Sequence, residues 1–136
     1  MMKYSYEIIK DDFANAGRVS SQIKKILKQL NFEPEVLRRM AIACYEAEIN
    51  MIIHSYGGVI TLKVDDKVRL VFADKGPGIK DIALAMQPGY STADEKAREL
   101  GFGAGMGLPN IKKVSDEFDI ESSEKGTILT LGFKVL

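Results

Sequence analysis

From about Pro34 to about Ser55 the chain is apolar on almost every side of a helix, broken by one polar stripe. Pro34 suits a first helical turn, where its missing N–H costs nothing, and Gly57-Gly58 ends the run. Val36, Leu37, Met40, Ile42, Cys44, Ala47, Ile49, Met51, Ile52 and Ile53 cover most directions at about 100° per residue. A helix of this kind needs packing partners on several sides, which the flanking segments must supply. Glu46, Asn50 and His54 recur every fourth residue and share the stripe. Ile42, Ile49 and Ile53 flank it on one side, Ala43 and Ala47 on the other. Such a stripe is a wet cleft, a satisfied buried network or a plain solvated face, because an unpaired buried carboxylate is too costly to persist. Glu48 points nearly opposite to Asn50 and reads as a surface or packing carboxylate.

The flanking segments supply the partners. Tyr4, Tyr6 and Ile8 alternate with polar residues as in a strand, and residues 11–30 change to helical spacing through Phe13, Ala16, Val19, Ile23, Ile26, Leu27 and Leu30. Ile60, Leu62 and Val64, then Val68, Leu70 and Phe72, form a hairpin about Asp65-Asp66 that delivers Asp74 to a strand end. Residues 80–86 read as a short helix. Residues 87–107 have no sustained period, and a loop of that length in a compact domain points to function. A helix over 108–117 and a hairpin of 118–123 with 127–135 complete the chain. The order predicts an α/β fold, an α+β two-layer sandwich, with a mixed sheet of about five strands and helices on one face, as a single domain over 1–136.

Bulk properties narrow the function. Formal net charge is zero, which removes the general electrostatic case for nucleic acid or an anionic membrane. No apolar run is long enough to span a bilayer, and the first residues lack the apolar stretch of a signal peptide. One cysteine, Cys44, excludes an internal disulfide and fits a reducing cytoplasm; with one histidine beside it, no Cys/His metal cluster can form.

Two glycine segments add chemistry to the stripe. In Asp74-Lys75-Gly76-Pro77-Gly78-Ile79, a carboxylate at a strand end can accept the exocyclic amine of adenine, and the glycines let backbone approach a flat ligand. A simple turn is the alternative. Gly101-Phe102-Gly103-Ala104-Gly105-Met106-Gly107 runs into Leu108-Pro109, where a helix begins. Its N–H groups and the helix N-terminus suit phosphates. No Gly-Lys-Ser/Thr follows, so it is not a Walker loop, and no strand leads into it as in a dinucleotide fingerprint. Residues 91–100 read as a lid over the nucleotide, with Lys96 or Arg98 toward a γ-phosphate. Asn50 is a hard oxygen donor suited to Mg²⁺, and Glu46, one turn earlier, can orient or deprotonate an attacking hydroxyl or water. His54 fits a structural role at the cleft rim.

Taken together, these residues resemble the GHKL, or Bergerat-fold, ATPase superfamily, whose pattern is an Asn-bearing helix, an Asp-x-Gly-x-Gly turn and a glycine-rich lid. The resemblance implies ATP and Mg²⁺. It places the metal on Asn50 and the nucleotide among Asn50, Asp74, Gly76, Gly78, Ile79, Arg98, Gly103, Gly105, Met106, Gly107 and Leu108. The segment from Glu46 to Tyr56 is similar to bacterial anti-sigma-factor kinases, in which a Glu four residues before the Asn is the proposed general base. The segments 85–92 and 107–118 look more like stressosome switch kinases. Ala104 stands where anti-sigma-factor kinases tend to carry an Arg, which leaves Arg98 for the γ-phosphate. The resemblance implies a serine/threonine protein kinase that forms ADP while phosphorylating a STAS-type (anti-anti-sigma) regulator, with Glu46 catalytic. It also implies a sigma factor as a further partner and a homodimer in the anti-sigma branch. The rival reading is a nucleotide-gated protein-binding module without significant kinase activity.

Overall fold

The computed structural model describes residues 1–79, 82–87 and 107–135. The elements are β1 (Met2–Ile8), α1 (Arg18–Gln29), α2 (Pro34–His54), β2 (Gly58–Val64), β3 (Lys67–Asp74), α3 (Ile82–Ala85), α4 (Gly107–Val114), β4 (Glu117–Ser123) and β5 (Gly126–Lys134). A short 3-10 turn, Phe13–Asn15, precedes α1. The proposed lid, with Lys96, Arg98, Gly103, Gly105 and Met106, lies outside the described residues.

The strands form one five-stranded sheet in the order β1-β2-β3-β5-β4. Every pairing is antiparallel, which corrects the mixed sheet expected from the sequence. The reason is topological. The connection through α3 and α4 brings β4 back parallel to β3, but β5 inserts between them, so no parallel pair is hydrogen-bonded.

One face of each strand packs against the helices. Ile60, Leu62, Val68, Leu70, Leu131 and Phe133 are fully buried there, as strict alternation requires. Val19, Ile23 and Leu27 of α1, Met40, Cys44, Ala47 and Met51 of α2, and Ile111 of α4 close the same core. Each Val, Leu, Ile, Phe and Met side chain among them contributes about 1.5–3 kcal/mol by leaving water. α2 therefore lies at the centre of the helical layer, and Glu46, Asn50 and His54 of its polar stripe stay half-buried outside the core.

Two helix boundaries differ from the sequence reading. The helical pattern from residue 11 becomes a regular helix only at Arg18, because Glu48 on α2 caps it there. Glu48 Oε2 accepts N–H groups of Gly17 (3.2 Å) and Val19 (3.3 Å). Glu48 Oε1 accepts the N–H (2.8 Å) and hydroxyl (2.5 Å) of Ser20. This carboxylate is buried, so of the two expected roles it has the packing one. At the other end of the chain, α4 stops at Val114, three residues short of the expected Glu117. Ser115 Oγ donates to Ile111 O (2.7 Å), and Asp116 already joins the sheet, its N–H on Gly132 O (3.1 Å) and its Oδ2 accepting from Lys134 N (2.7 Å).

Candidate functional site

The site is built around the C-terminal half of α2. Glu46 and Asn50 are one turn apart, about 6 Å along the axis, and both are half-buried. Burial pushes the Glu46 carboxyl above its ordinary value of 4.5, because the charged form is less well solvated there. His54 closes the helix, also half-buried.

α4 begins directly against Asn50. A Cβ added at Gly107 would sit 2.9 Å from both Asn50 Oδ1 and Nδ2. Gly107 is thus the residue that lets a helix N-terminus approach the amide, and the first N–H groups of α4, which have no acceptor within the helix, carry the positive end of its dipole. Leu108 follows and packs on the core, which fixes the start of α4 in place.

The Asp74 loop reaches the same helix from the sheet. Asp74 ends β3, and its Oδ1 accepts N–H groups of Gly76 (2.9 Å) and Thr127 (2.9 Å). Gly76 O in turn accepts the N–H of Tyr56 (2.9 Å), two residues past the end of α2. Both bonds to the Asp74 carboxylate among the described residues fall on Oδ1, so Oδ2 is the oxygen left for a ligand. Ile79 N donates to Ser122 Oγ (2.7 Å), which also bonds Thr127 Oγ1 (2.7 Å). The loop is therefore stapled to the tip of the β4–β5 hairpin.

That staple changes the reason for the glycines. Gly78 has φ +89°, and a Cβ there would lie 2.0 Å from Ser123 O. A Cβ at Gly76 would lie 2.8 Å from Glu124 O. The obstacle at both positions is the hairpin backbone, whereas the sequence reading assigned the space to a ligand. Thr127 and Ser122, which hold Asp74 and Ile79, were not singled out from the sequence; their only signal is a Gly-Thr pair opening a strand, which many strands share.

A cavity of about 530 Å³ opens elsewhere, between the start of α1 and α2, and Ala41 and Tyr45 face it from the side of α2 opposite Asn50. Cys44 lies on neither flank. It is buried and its thiol is pushed up to about 12 by loss of solvation, so it is an inert core residue. Among the described residues no group of three His, Cys, Asp or Glu is placed to hold a metal, so a cation here would depend on Asn50 and on ligand oxygens.

The geometry gathers an acid, an amide, a helix N-terminus and a braced aspartate around one helix. The histidine kinase-like ATPase domain family matches residues 9–133. The chain belongs to that family. Among curated relatives it is 36% identical over 110 residues to the anti-sigma F factor of Caldanaerobacter subterraneus subsp. tengcongensis, covering 76% of this chain and 73% of that one. It is 31% identical over 104 residues to the serine/threonine-protein kinase RsbT of Bacillus subtilis, covering 73% and 72%. The fold is shared with the RsbU and RsbW domains of a Mycobacterium tuberculosis protein, at TM-score 0.67 and 17% identity, over 99% of this chain and 32% of that one. This histidine kinase-like ATPase domain is thus of the GHKL type and similar to both anti-sigma factors and a switch kinase, which matches the mixed character of its motifs. Among the described residues no helix is long and apolar enough to cross a membrane.

Proposed function

We propose that the chain binds ATP with Mg²⁺ and transfers the γ-phosphoryl group to a serine or threonine of a small STAS-type regulator. The single observation that carries the reading is the convergence on α2: Gly107 against Asn50, and the Asp74 loop tied to Tyr56. The family membership supports ATP, and the kinase name of one relative supports transfer to protein.

Each residue has a chemical task in this reading. Asp74 Oδ2 accepts the adenine amine, while Oδ1 is held by two backbone N–H groups that keep the carboxylate aimed. The N-terminus of α4 receives phosphate oxygens. Asn50 holds Mg²⁺, which when bound neutralises charge on the phosphates. Glu46 takes the proton of the partner's hydroxyl as its oxygen forms a bond to the γ-phosphorus. The bond from that phosphorus to the β–γ bridging oxygen breaks, and ADP leaves. A carboxyl raised by partial burial is a better base than a solvated one. The phosphorylated partner gains about −1.5 to −2 charge, enough to break a docked surface. Arg98, Gly103, Gly105 and Met106 complete the phosphate side, as the motif resemblance implies. A sigma factor is the second partner that the anti-sigma relatives' names support.

The test is incubation with γ-labelled ATP and STAS-domain proteins of the same genome. A labelled partner serine or threonine is expected. ATP binding without transfer to any of them would favour the nucleotide-gated binding module instead.

A further inference from the structure

α4 is eight residues long, about two turns, and a helix that short is marginal by itself. Its place is set from outside. Ile111, in its middle, is fully buried in the core, and Leu108 and Val114 pack against that core on either side of it. One buried anchor fixes where such a helix lies but leaves its tilt to contacts at the two ends. At the N-terminal end that contact is Gly107 against Asn50.

At the other end it is Arg39. Its Nη1 donates to the carbonyl of Val114, the last residue of α4, at 3.0 Å. The same nitrogen reaches Asp116 Oδ1 at 3.3 Å, and the two side chains are 24% and 27% exposed. The other oxygen of Asp116 accepts the Lys134 N–H at 2.7 Å, so the sheet holds the carboxylate that steadies the guanidinium. A cation on the last carbonyl of a helix satisfies an acceptor that the helix leaves open and lies at the negative end of its dipole. Lys112 and Lys113 of the same turn are exposed, so the cation seated on this helix end comes from α2.

Both end contacts come from one face of α2. Arg39 and Asn50 are eleven residues apart, which is three turns plus about 20°. α4 therefore runs opposite to α2 and is held by it at each end. We propose that Arg39 is a positioning residue for the phosphate end of the site. By pinning the C-terminus of α4 it sets the tilt that aims the helix N-terminus beside Asn50. This role rests on the nucleotide reading above.

Ile111 acts as the pivot. Gly107 lies about 6 Å from it along the axis, and Val114 about 4.5 Å on the other side. A swing of about 1 Å at a released C-terminus therefore moves the N-terminus by about 1.3 Å the opposite way. Where groups must be aimed, a misplacement of about 1 Å can cost about a hundredfold. Arg39 itself stands about 16 Å along α2 from Asn50, so it acts on a nucleotide only through α4. A residue that merely adds stability would change the affinities for ATP and adenosine alike, or neither. A residue that aims α4 changes only that for ATP, because adenosine has no phosphate and is held by the Asp74 loop.

The test is Arg39→Met in the full chain, which keeps the apolar stem of the side chain and removes the donor. By isothermal titration the Kd for ATP with Mg²⁺ should rise at least about fivefold. Adenosine affinity, followed by amide NMR, should stay within about twofold of wild type. Arg39→Lys should recover most of the loss, since a single nitrogen makes both contacts and the pairing is not a bidentate one. Without nucleotide, the Gly107 and Leu108 amide resonances should move in Arg39→Met. A smaller rise for ATP, an equal rise for adenosine, no recovery by Arg39→Lys, or unmoved amide resonances overturns the proposal. Circular dichroism checks folding, and Arg39→Ala decides if Arg39→Met does not fold. Failure of both to fold also overturns it, because a residue that only aims α4 is not needed for the fold. Wild type that binds neither ATP nor adenosine contradicts the nucleotide reading instead, while the amide shifts without nucleotide still report whether Arg39 sets α4.

Discussion

Glu48→Gln is the sharpest test of how α2 is held. The wild-type carboxylate accepts four hydrogen bonds from Gly17, Val19 and Ser20, all at the start of α1. The substitution keeps the side chain's shape. One oxygen remains for Ser20, but an NH₂ group replaces the oxygen that faces Gly17 N–H and Val19 N–H. Two buried donors lose an acceptor and meet another donor. Each lost bond to a charged acceptor is worth about 1.5–3 kcal/mol, so a loss of about 3–5 kcal/mol is expected. For a domain of this size that lowers Tm by roughly 10–20 °C. Calorimetry at neutral pH measures it. A Tm within about 3 °C of wild type would refute the capping argument, because it would show that α1 keeps its place without the carboxylate.

Other substitutions separate folding from ligand binding. Gly78→Ala meets the hairpin backbone at Ser123 O from a left-handed conformation, so a loss of more than about 2 kcal/mol is expected in denaturant titrations. Gly107→Ala first meets the end of the Asn50 side chain and no backbone atom among its nearest neighbours, so Tm should change little while affinity for ATP with Mg²⁺ falls at least about tenfold, or 1.4 kcal/mol. Glu46→Gln should bind ATP and lose phosphoryl transfer, and the acidic limb of the wild-type pH–rate profile should lie above 4.5 and vanish in the variant. The stability effect has the opposite sign. A raised folded-state pKa favours folding below 4.5 and loses that contribution as pH rises through the raised value, so Glu46→Gln should be neutral or slightly stabilising at pH 7.

Much of this was legible in the residues because period and chemistry agree. α2 was readable from Pro34 at one end and Gly57-Gly58 at the other, and the strands from their alternation. What was not legible depends on distant partners. Nothing local near residue 11 or 17 says that a carboxylate 28 to 31 positions later will set the start of α1. The antiparallel sheet required knowing that β5 enters between β3 and β4. Gly76 and Gly78 were recognised as special, but their obstacle is a hairpin from the far end of the sequence. Thr127 gave no specific signal beyond a common Gly-Thr strand opening, because its N–H, a backbone group every strand residue but proline has, is what holds Asp74.

The central claim is that Asn50, Asp74 and the start of α4 form one ATP site. Isothermal titration with ATP, with and without Mg²⁺, tests it most directly when run on wild type, Asp74→Asn and Asn50→Ala. The account predicts saturable binding by wild type, loss of binding in Asp74→Asn, and loss of the Mg²⁺ dependence in Asn50→Ala. No heat of binding from folded wild type with ATP and Mg²⁺ to about 1 mM, or wild-type affinity in Asp74→Asn, would contradict it.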